Sequence, residues 1–194
     1  MNDDLMRTFI GVEIGAAASA YLTELQERLK SLPGRIKWTD LKASHLTLTF
    51  LGGTRQDVLE ALSPKIQRIC EDFIPFQLAL NETGVFPHAN HPRVLWAGVA
   101  DESLSLTALK KQIDEIVMTA GFDVDRRHFV PHITLGRVKF LKPASELLHS
   151  LLSTVLPPLE WQVHSVNWYR SILQPSGAEY STLKVYNLNK GGSA

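Results

Sequence analysis

Hydrophobic residues recur along this chain at two spacings, which predict alternating strands and helices. Apolar and polar positions alternate over residues 7–14 as in a half-buried strand, and apolar residues follow the helical repeat from about 16 to 32. Helical spacing returns at about 58–73, 103–120 and 144–152, and strand-like runs occupy 35–38, 44–51, 76–80, 84–87, 93–99, 127–135, 160–173 and 179–188. We expect Gly52–Gly53 to end one strand, and Pro64 to kink or split the second helix.

The character of the strands predicts an α+β fold. Most of them alternate apolar and polar positions rather than forming continuous apolar runs, which favours sheets with one open face over a fully covered parallel sheet. A chain of 194 residues has the size of one domain or of two small joined lobes. We expect a single two-lobed domain over residues 1–194, with a turn at 174–177 and a flexible end at 190–194.

Composition limits the partners and the compartment of the protein. Lysine plus arginine and aspartate plus glutamate number 20 each, so the formal net charge is zero, and a broad positive surface for long duplex nucleic acid is excluded. A small or single-ended anionic substrate remains compatible with this charge. Cys70 is the only cysteine, which excludes an intramolecular disulfide and favours a reducing, cytoplasmic location. The segment Met1–Arg7 begins acidic, unlike a secretory signal, and no apolar run approaches the roughly 20 residues that span a bilayer.

One short pattern, His-x-Thr followed by a hydrophobic residue, occurs twice, at 45–48 and at 132–135. Because side chains alternate across a strand, His45 and Thr47 share one face, as do His132 and Thr134, while the intervening aliphatic residues anchor the other face. Chance repetition is the competing interpretation. The branched aliphatics at both intervening positions of both copies reduce it to an expectation on the order of one in a thousand.

Two histidines that face each other across a cleft suit in-line displacement at phosphorus. The attacking water and the leaving oxygen lie on opposite sides of the phosphate, so that a base and an acid are needed on opposite sides. Imidazole titrates close to neutral pH, so one ring can be neutral and the other protonated, which predicts a bell-shaped pH dependence. The threonine hydroxyls can donate hydrogen bonds to phosphate oxygens. This arrangement requires no metal ion.

Residues outside the two motifs complete a larger pattern. They are the opening Arg7-Thr-Phe-Ile-Gly-Val-Glu13, Arg93-Val-Leu-Trp96, Pro131, Arg137, Tyr169-Arg-Ser171 and Tyr180. Together with the two motifs, they resemble the RNA 2′,3′-cyclic phosphodiesterases, also described as 2′-5′ RNA ligases, of the two-histidine phosphoesterase superfamily. The resemblance covers Arg7 to Leu188.

This resemblance implies a bilobal fold in which two pseudo-symmetric antiparallel sheets, each carrying one motif, line a central cleft with helices outside. It also implies hydrolysis of a terminal 2′,3′-cyclic phosphate on RNA to a 2′-phosphate, with the P–O3′ bond broken and no metal cofactor. A small cyclic nucleotide is an alternative substrate, and nothing in the sequence requires more than a monomer. By the resemblance, His45 protonates the leaving O3′, His132 accepts a proton from water, and Thr47 and Thr134 hold the phosphate. The spacing of the motifs is itself symmetric between acid and base.

Arg137 matches the family's basic residue after the second motif, which would stabilise phosphate charge. Strict alternation places it on the face of Ile133 and Leu135, so it reaches the cleft only if the strand bends or bulges, as Gly136 would permit. The alternative is a solvent-facing arginine at a strand end.

Several other residues have two interpretations. His88 and His91 form a pair without an acidic or cysteine partner, which favours a surface loop over a zinc site. Candidates for either core packing or nucleobase stacking are Phe86, Trp96, Tyr169 and Tyr180. Candidates for either an RNA-facing positive region or an ordinary solvated loop are Arg126, Arg127, Arg137, Lys139 and Lys142.

Two functions compete with cyclic phosphate hydrolysis. A module that binds nucleotides or RNA ends without turnover would use the same cleft for affinity alone. Joining of 2′-5′-linked RNA would need a 5′-hydroxyl in place of water, with the same residues in use.

Overall fold

The computed structural model describes residues 5–41, 44–125, 128–174 and 178–189, without the side chain of Leu173. Within these residues the strands are β1 (Met6–Glu13), β2 (Arg35–Trp38), β3 (His45–Thr54), β4 (Phe76–Phe86), β5 (Val94–Ala100), β6 (His132–Phe140), β7 (Glu160–Val163), β8 (Ser165–Leu173) and β9 (Ala178–Asn187). The helices are α1 (Ala16–Lys30), α2 (Gln56–Glu71), α3 (Ser105–Thr119) and α4 (Glu146–Leu152). The predicted flexible end and most of the predicted turn at 174–177 lie outside the described residues, as do Arg126 and Arg127.

The strands form two antiparallel sheets, each of which carries one His-x-Thr motif. The His45 sheet has the order β3-β1-β8-β9, and the His132 sheet has the order β2-β6-β5-β4-β7. The sheets exchange segments, because the early strand β2 joins the His132 sheet and the late strands β8 and β9 join the His45 sheet. This arrangement confirms the predicted α+β class with two antiparallel sheets.

The helices cover the faces of the sheets that point away from the motifs. Helices α2 and α3 contact the His45 sheet through β9 and β3, whereas α4 contacts β4 of the His132 sheet and also packs on α1. Gln26 of α1 is almost fully buried and donates hydrogen bonds to the carbonyl oxygens of Thr39 (2.9 Å) and Leu135 (2.7 Å), which ties α1 to the strand that carries the second motif. Among the described residues, every helix is too short or too polar to cross a lipid bilayer.

Two strands are longer than their sequence patterns indicate. The pair Gly52–Gly53 does not end β3, because Gly52 and Gly53 pair with Thr8 and Arg7 and carry the strand on to Thr54. Gly52 adopts a φ of 69°, which glycine tolerates without strain. The two predicted runs 76–80 and 84–87 form the single strand β4, with an irregularity between Leu80 and Thr83.

Two other predictions about single elements are corrected by the structure. Pro64 does not split α2, which is continuous from Gln56 to Glu71. The helix buries Leu59, Leu62, Ile66 and Ile69 on one face, and this packing offsets the hydrogen bond that proline cannot donate. The helix ends at Glu71, before Phe73. The predicted strand 160–173 is divided at His164, where the chain leaves the His132 sheet and enters the His45 sheet.

A buried ion pair attaches α3 to the strand of the first motif. The Lys110 ammonium contacts the Asp114 carboxylate, and their side chains are only 11% and 15% exposed. Thr49 of β3 donates a 2.5 Å hydrogen bond to the other carboxylate oxygen. The Lys110 nitrogen also lies 5.2 Å from the ring centre of Phe129, three residues before His132. One charge pair therefore joins α3, β3 and the segment that leads into β6.

Replacing Asp114 by alanine is expected to destabilise the fold, because it leaves the Lys110 ammonium buried without its counterion. We expect the free energy of unfolding to fall by about 3 kcal/mol, measured by chemical denaturation. Asp57→Ala is the matched control, since Asp57 pairs with Arg55 on the surface with 64% of its side chain exposed, and little change is expected there. Equal stability of both variants would show that the Lys110 charge is solvated in another way.

Candidate active site

A cleft of about 300 Å³ contains the residues of both motifs. His45 and Thr47 line it from β3, and His132, Thr134 and Arg137 line it from β6. The structure thus brings all five sequence-predicted site residues to one place. The other lining residues are Arg7, Phe9, Thr39, Ser44, Phe50, Ser171, Ala178 and Tyr180.

The side chains that line the cleft suit an anionic ligand. Two guanidinium groups, two imidazoles and six hydroxyls are present, and no carboxylate occurs among the described lining residues. Neither Arg7 nor Arg137 forms an ion pair with a carboxylate in the described part of the chain. Because the whole chain is electrically neutral, this excess of positive and hydrogen-bond-donating groups is local to the cleft.

His45 lies among three aromatic rings. Its imidazole stacks on Phe9 with ring centres 4.2 Å apart, and the edge of Tyr180 approaches it at 4.7 Å. Tyr169 lies 5.2 Å away and is fixed in turn by a 2.9 Å hydrogen bond from Asn167, a buried residue that also donates to Glu13. The rings leave the imidazole little freedom to rotate, so its position in the cleft is set by packing.

His132 is oriented by a backbone carbonyl. Its Nδ1 lies 2.8 Å from the oxygen of Val130, and because a carbonyl only accepts, Nδ1 must carry the hydrogen. Nε2 of the neutral ring is then an acceptor. Burial, with a further contribution from the Arg137 charge, lowers the pKa of His132, although the Val130 hydrogen bond acts in the opposite direction. The neutral form, which is the form that can accept a proton, is therefore favoured.

A bulge in β6 brings Arg137 into the cleft. On β5, Trp96 and Leu95 are consecutive, yet they pair with Thr134 and Gly136, so that Leu135 is an extra residue in β6. The extra residue changes the alternation, and Arg137 follows Thr134 on the cleft side. Gly136 is required here because a Cβ at this position would lie 2.6 Å from the Ile36 side chain.

β3 contains a bulge at the equivalent position after its own motif. Ile10 and Gly11 of β1 pair with Thr49 and Thr47, so that Leu48 is the extra residue. Thr49 consequently points toward α3, where it bonds Asp114, and the next residue, Phe50, lines the cleft. Phe50 therefore has the same offset from Thr47 that Arg137 has from Thr134.

The motif threonines present unused hydroxyls to the cleft. Thr47 and Thr134 are half-buried and line it, and neither hydroxyl bonds another group of the described protein. By contrast, the buried threonines Thr8 and Thr54 bond each other at 2.7 Å. Half-buried hydroxyls without a protein partner are suited to bind a ligand oxygen.

Arg7 also lines the cleft, although in the sequence it stands out only as part of the family resemblance. Its guanidinium carbon lies 4.5 Å from the ring centre of Phe50, and both side chains line the cleft. Alternation along β1 could have placed it there, because Arg7 and Phe9 are two residues apart in a strand. Phe50 could not have been found this way, because its face depends on the bulge at Leu48.

Other candidate residues have structural positions. Phe86 and Trp96 stack on each other at 5.0 Å and pack beside His132, with Phe86 edge-on to the imidazole at 5.0 Å. His88 and His91 are exposed, and His91 contacts Arg93 at 3.0 Å. Within the described residues, no three histidine, cysteine or carboxylate side chains converge as a metal site. A larger cavity of about 520 Å³ lies beside α3 and contains neither motif.

Comparison with protein-family models identifies the family. Residues 16–172 match the model of the 2′-5′ RNA ligase superfamily, which is more than half of the chain. The protein therefore belongs to the 2′-5′ RNA ligase superfamily, and the resemblance predicted from the two motifs is confirmed.

Several relatives of this chain carry the name RNA 2′,3′-cyclic phosphodiesterase. The protein of Methanothermobacter thermautotrophicus is 27% identical over 94% of this chain and 99% of its own length. The proteins of Aquifex aeolicus and Thermus thermophilus are each 31% identical, over 90% and 94% of this chain and 95% and 90% of their own lengths. These names agree with the predicted enzyme class, a cyclic phosphodiesterase.

Solved structures confirm the fold. TT0787 of Thermus thermophilus superimposes with a TM-score of 0.82 at 29% identity, covering 97% of this chain and 100% of that one. Escherichia coli LigT complexed with 3′-AMP superimposes with a TM-score of 0.71 at 26% identity, covering 95% and 99%.

Proposed function

We propose that the protein hydrolyses 2′,3′-cyclic phosphates at RNA ends, leaving a 2′-phosphate, with His45 and His132 as acid and base. One observation carries this proposal. Two histidines from different sheets line one cleft together with two guanidinium groups, and the described lining residues include no carboxylate. The names of the relatives and the 3′-AMP complex of LigT support a nucleotide or RNA end as substrate.

The environment of His132 supports its role as the base. Nδ1 is held as a donor by Val130, so the lone pair on Nε2 is available to take a proton from water. The lowered pKa keeps the ring neutral before the reaction. The water oxygen then attacks phosphorus as its proton moves to His132.

His45 acts as the acid in this proposal. As the P–O3′ bond breaks, O3′ takes the proton of the imidazolium, and the 2′-phosphate remains. The stacked Phe9 ring favours a cationic neighbour, because the face of an aromatic ring is electrostatically negative. Thr47, Thr134 and Arg137 bind the non-bridging oxygens, whose negative charge must be stabilised throughout. Exchange with solvent returns both histidines to their starting states.

A short RNA that ends in a 2′,3′-cyclic phosphate tests the proposal directly. The purified protein is incubated with it in the presence of EDTA, and the phosphate position in the product is determined. We expect a 2′-phosphate and undiminished rates, because protein side chains supply every proposed step. A 3′-phosphate would refute the assigned leaving group, EDTA inhibition would refute metal independence, and binding without product would favour a non-catalytic RNA-end module.

Ligation would use the same groups in the same roles. A 5′-hydroxyl in place of water, attacking the cyclic phosphate, would form a linkage between RNA ends without ATP. The superfamily description supports this side reaction. It predicts joined product at high RNA concentration, lost together with hydrolysis when either histidine is replaced.

A further inference from the structure

Two positively charged side chains lie side by side at one edge of the cleft. Lys37 of β2 pairs directly with Arg137 of β6, and directly paired residues of antiparallel strands project to the same face of the sheet. Arg137 lines the cleft, so this face continues from β6 onto the edge strand β2. Lys37 is therefore a cation beside the cleft that the proposed reaction does not use.

The neighbours of Lys37 show which way its side chain points. Ile36 and Trp38 lie on the opposite face, where a Cβ at Gly136 would be 2.6 Å from the side chain of Ile36 and 3.2 Å from that of Trp38. Because side chains alternate along a strand, Lys37 projects toward the cleft. Thr39, two residues further along the chain, lines the cleft.

The pairing of Lys37 with Arg137 is unfavourable in the protein alone. Like charges directly opposite each other in a sheet repel. Both residues are exposed, and neither forms an ion pair with a carboxylate in the described part of the chain. Lysine is common on edge strands, where it prevents pairing with other chains, but that role does not require a position opposite an arginine of the cleft. A ligand with two negative groups would remove the repulsion.

The last nucleotide of an RNA chain has two such groups. One is the phosphate at its 2′ and 3′ oxygens, which Arg137 binds in the proposed mechanism. The other is the phosphodiester on its 5′ oxygen, which is the nearest remaining negative charge of the substrate. An ammonium group on a long, flexible stem binds a phosphate as a point charge and adapts to its position.

We infer that Lys37 binds the phosphate on the 5′ oxygen of the cyclic nucleotide. This inference rests on the proposed function and adds a substrate class to it. Cyclic ends that carry a 5′-phosphate, either within an RNA chain or as a terminal group, are preferred over 2′,3′-cyclic nucleotides with a free 5′-hydroxyl. The preference is independent of the base, because Lys37 contacts only the phosphate.

The test compares two 2′,3′-cyclic mononucleotides of the same base, one with a 5′-phosphate and one with a 5′-hydroxyl. We expect the wild-type protein to favour the 5′-phosphorylated substrate about fivefold in kcat/KM, as for an exposed ion pair. Lys37→Met should abolish this preference, and Lys37→Arg should retain it. Lys184→Met is the matched control, since Lys184 is an exposed lysine on β9, an edge strand of the other sheet, and does not line the cleft.

Thermal unfolding gives a readout that does not depend on turnover. If Lys37 and Arg137 repel each other, Lys37→Met should raise the thermal midpoint of the free protein by about 1 to 2 °C. A lower midpoint would show that the Lys37 charge is neutralised within the protein, which contradicts the inference.

Binding of the two products separates the subsite from the reaction. Calorimetry compares a nucleoside 2′,5′-bisphosphate with the nucleoside 2′-phosphate, and the wild-type protein should bind the bisphosphate about fivefold more tightly. A wild-type protein without preference for the 5′-phosphate, or an equal preference in Lys37→Met, would overturn the subsite while leaving hydrolysis intact. Absence of turnover of both substrates would refute the proposed function, and the comparison of the two products would still decide the role of Lys37.

Discussion

Replacing His45 or His132 by alanine is expected to reduce kcat/KM for cyclic phosphate hydrolysis by about 10² to 10⁴. Each imidazole moves one proton in the same displacement, so neither can take over the other's task across the cleft. The double variant should be little slower than the single variants, because the two groups act as a unit. Rates would be measured with a cyclic-phosphate-ended RNA under single-turnover conditions.

His88→Ala is the matched control for these variants. His88 is exposed in the loop after β4 and does not line the cleft, so its replacement should leave the rate unchanged. Circular dichroism and the thermal midpoint should show that all variants are folded. If either His45→Ala or His132→Ala retained nearly full activity, the two-histidine mechanism would be refuted.

Arg137→Gln is expected to lower kcat/KM by about tenfold to a hundredfold, as for loss of a hydrogen bond to a charged group. It should also change the pH profile. The acid limb of kcat/KM reports protonation of the base, and burial together with the Arg137 charge lowers the pKa of His132. Removing the positive charge therefore raises the pKa of His132, and the acid limb should move to higher pH. Because burial is the largest cause of the lowered pKa and is kept in the variant, the pKa of His132 should stay below the ordinary histidine value.

Arg35→Gln provides the comparison for Arg137. Arg35 is an exposed arginine of β2 in the same sheet but does not line the cleft, so both the rate and the acid limb should match the wild type. A loss of rate in Arg137→Gln with an unmoved acid limb would separate phosphate binding from any influence on His132. An unchanged rate would mean that Arg137 faces solvent during the reaction.

The sequence was most informative where strand alternation is regular. His45 and Thr47 reach the cleft as alternation predicts, and so do His132 and Thr134, because the aliphatic residues between them have to be buried. The family resemblance added the two-sheet architecture, which periodicity alone does not contain. Local pattern and family pattern therefore agree at the centre of the site.

Residues that follow the motifs were harder to predict, because a bulge exchanges the two faces of a strand. Gly136 indicated that β6 could bulge, and Arg137 indeed lines the cleft. Nothing of this kind marks Leu48, so alternation would have placed Thr49 beside Thr47 and left Phe50 on the helix side. Thr49, the residue after the bulge, bonds Asp114, a partner far away in sequence that no local pattern identifies.

Long-range packing also explains the element that was predicted as one strand. Residues 160–173 have a continuous β pattern, yet His164 divides them between the two sheets. Trp161 is a buried residue of β7 in the His132 sheet, whereas Trp168 is a buried residue of β8 in the His45 sheet. The β pattern of the sequence runs through both β7 and β8, so it does not show where the chain changes sheet. The change follows from pairing with distant strands, since β7 pairs with β4 and β8 pairs with β1 and β9.

The position of β1 has a consequence for synthesis of the protein. β1 lies between β3 and β8, so one of its edges has no partner until the chain has been made beyond Ser165. Tyr169 and Tyr180, which surround His45, belong to these last two strands. A ribosome that has translated both His-x-Thr motifs has therefore not yet made two of the rings that surround His45. The surroundings of the first motif are assembled only after β8 and β9 have been synthesised, well after the second motif.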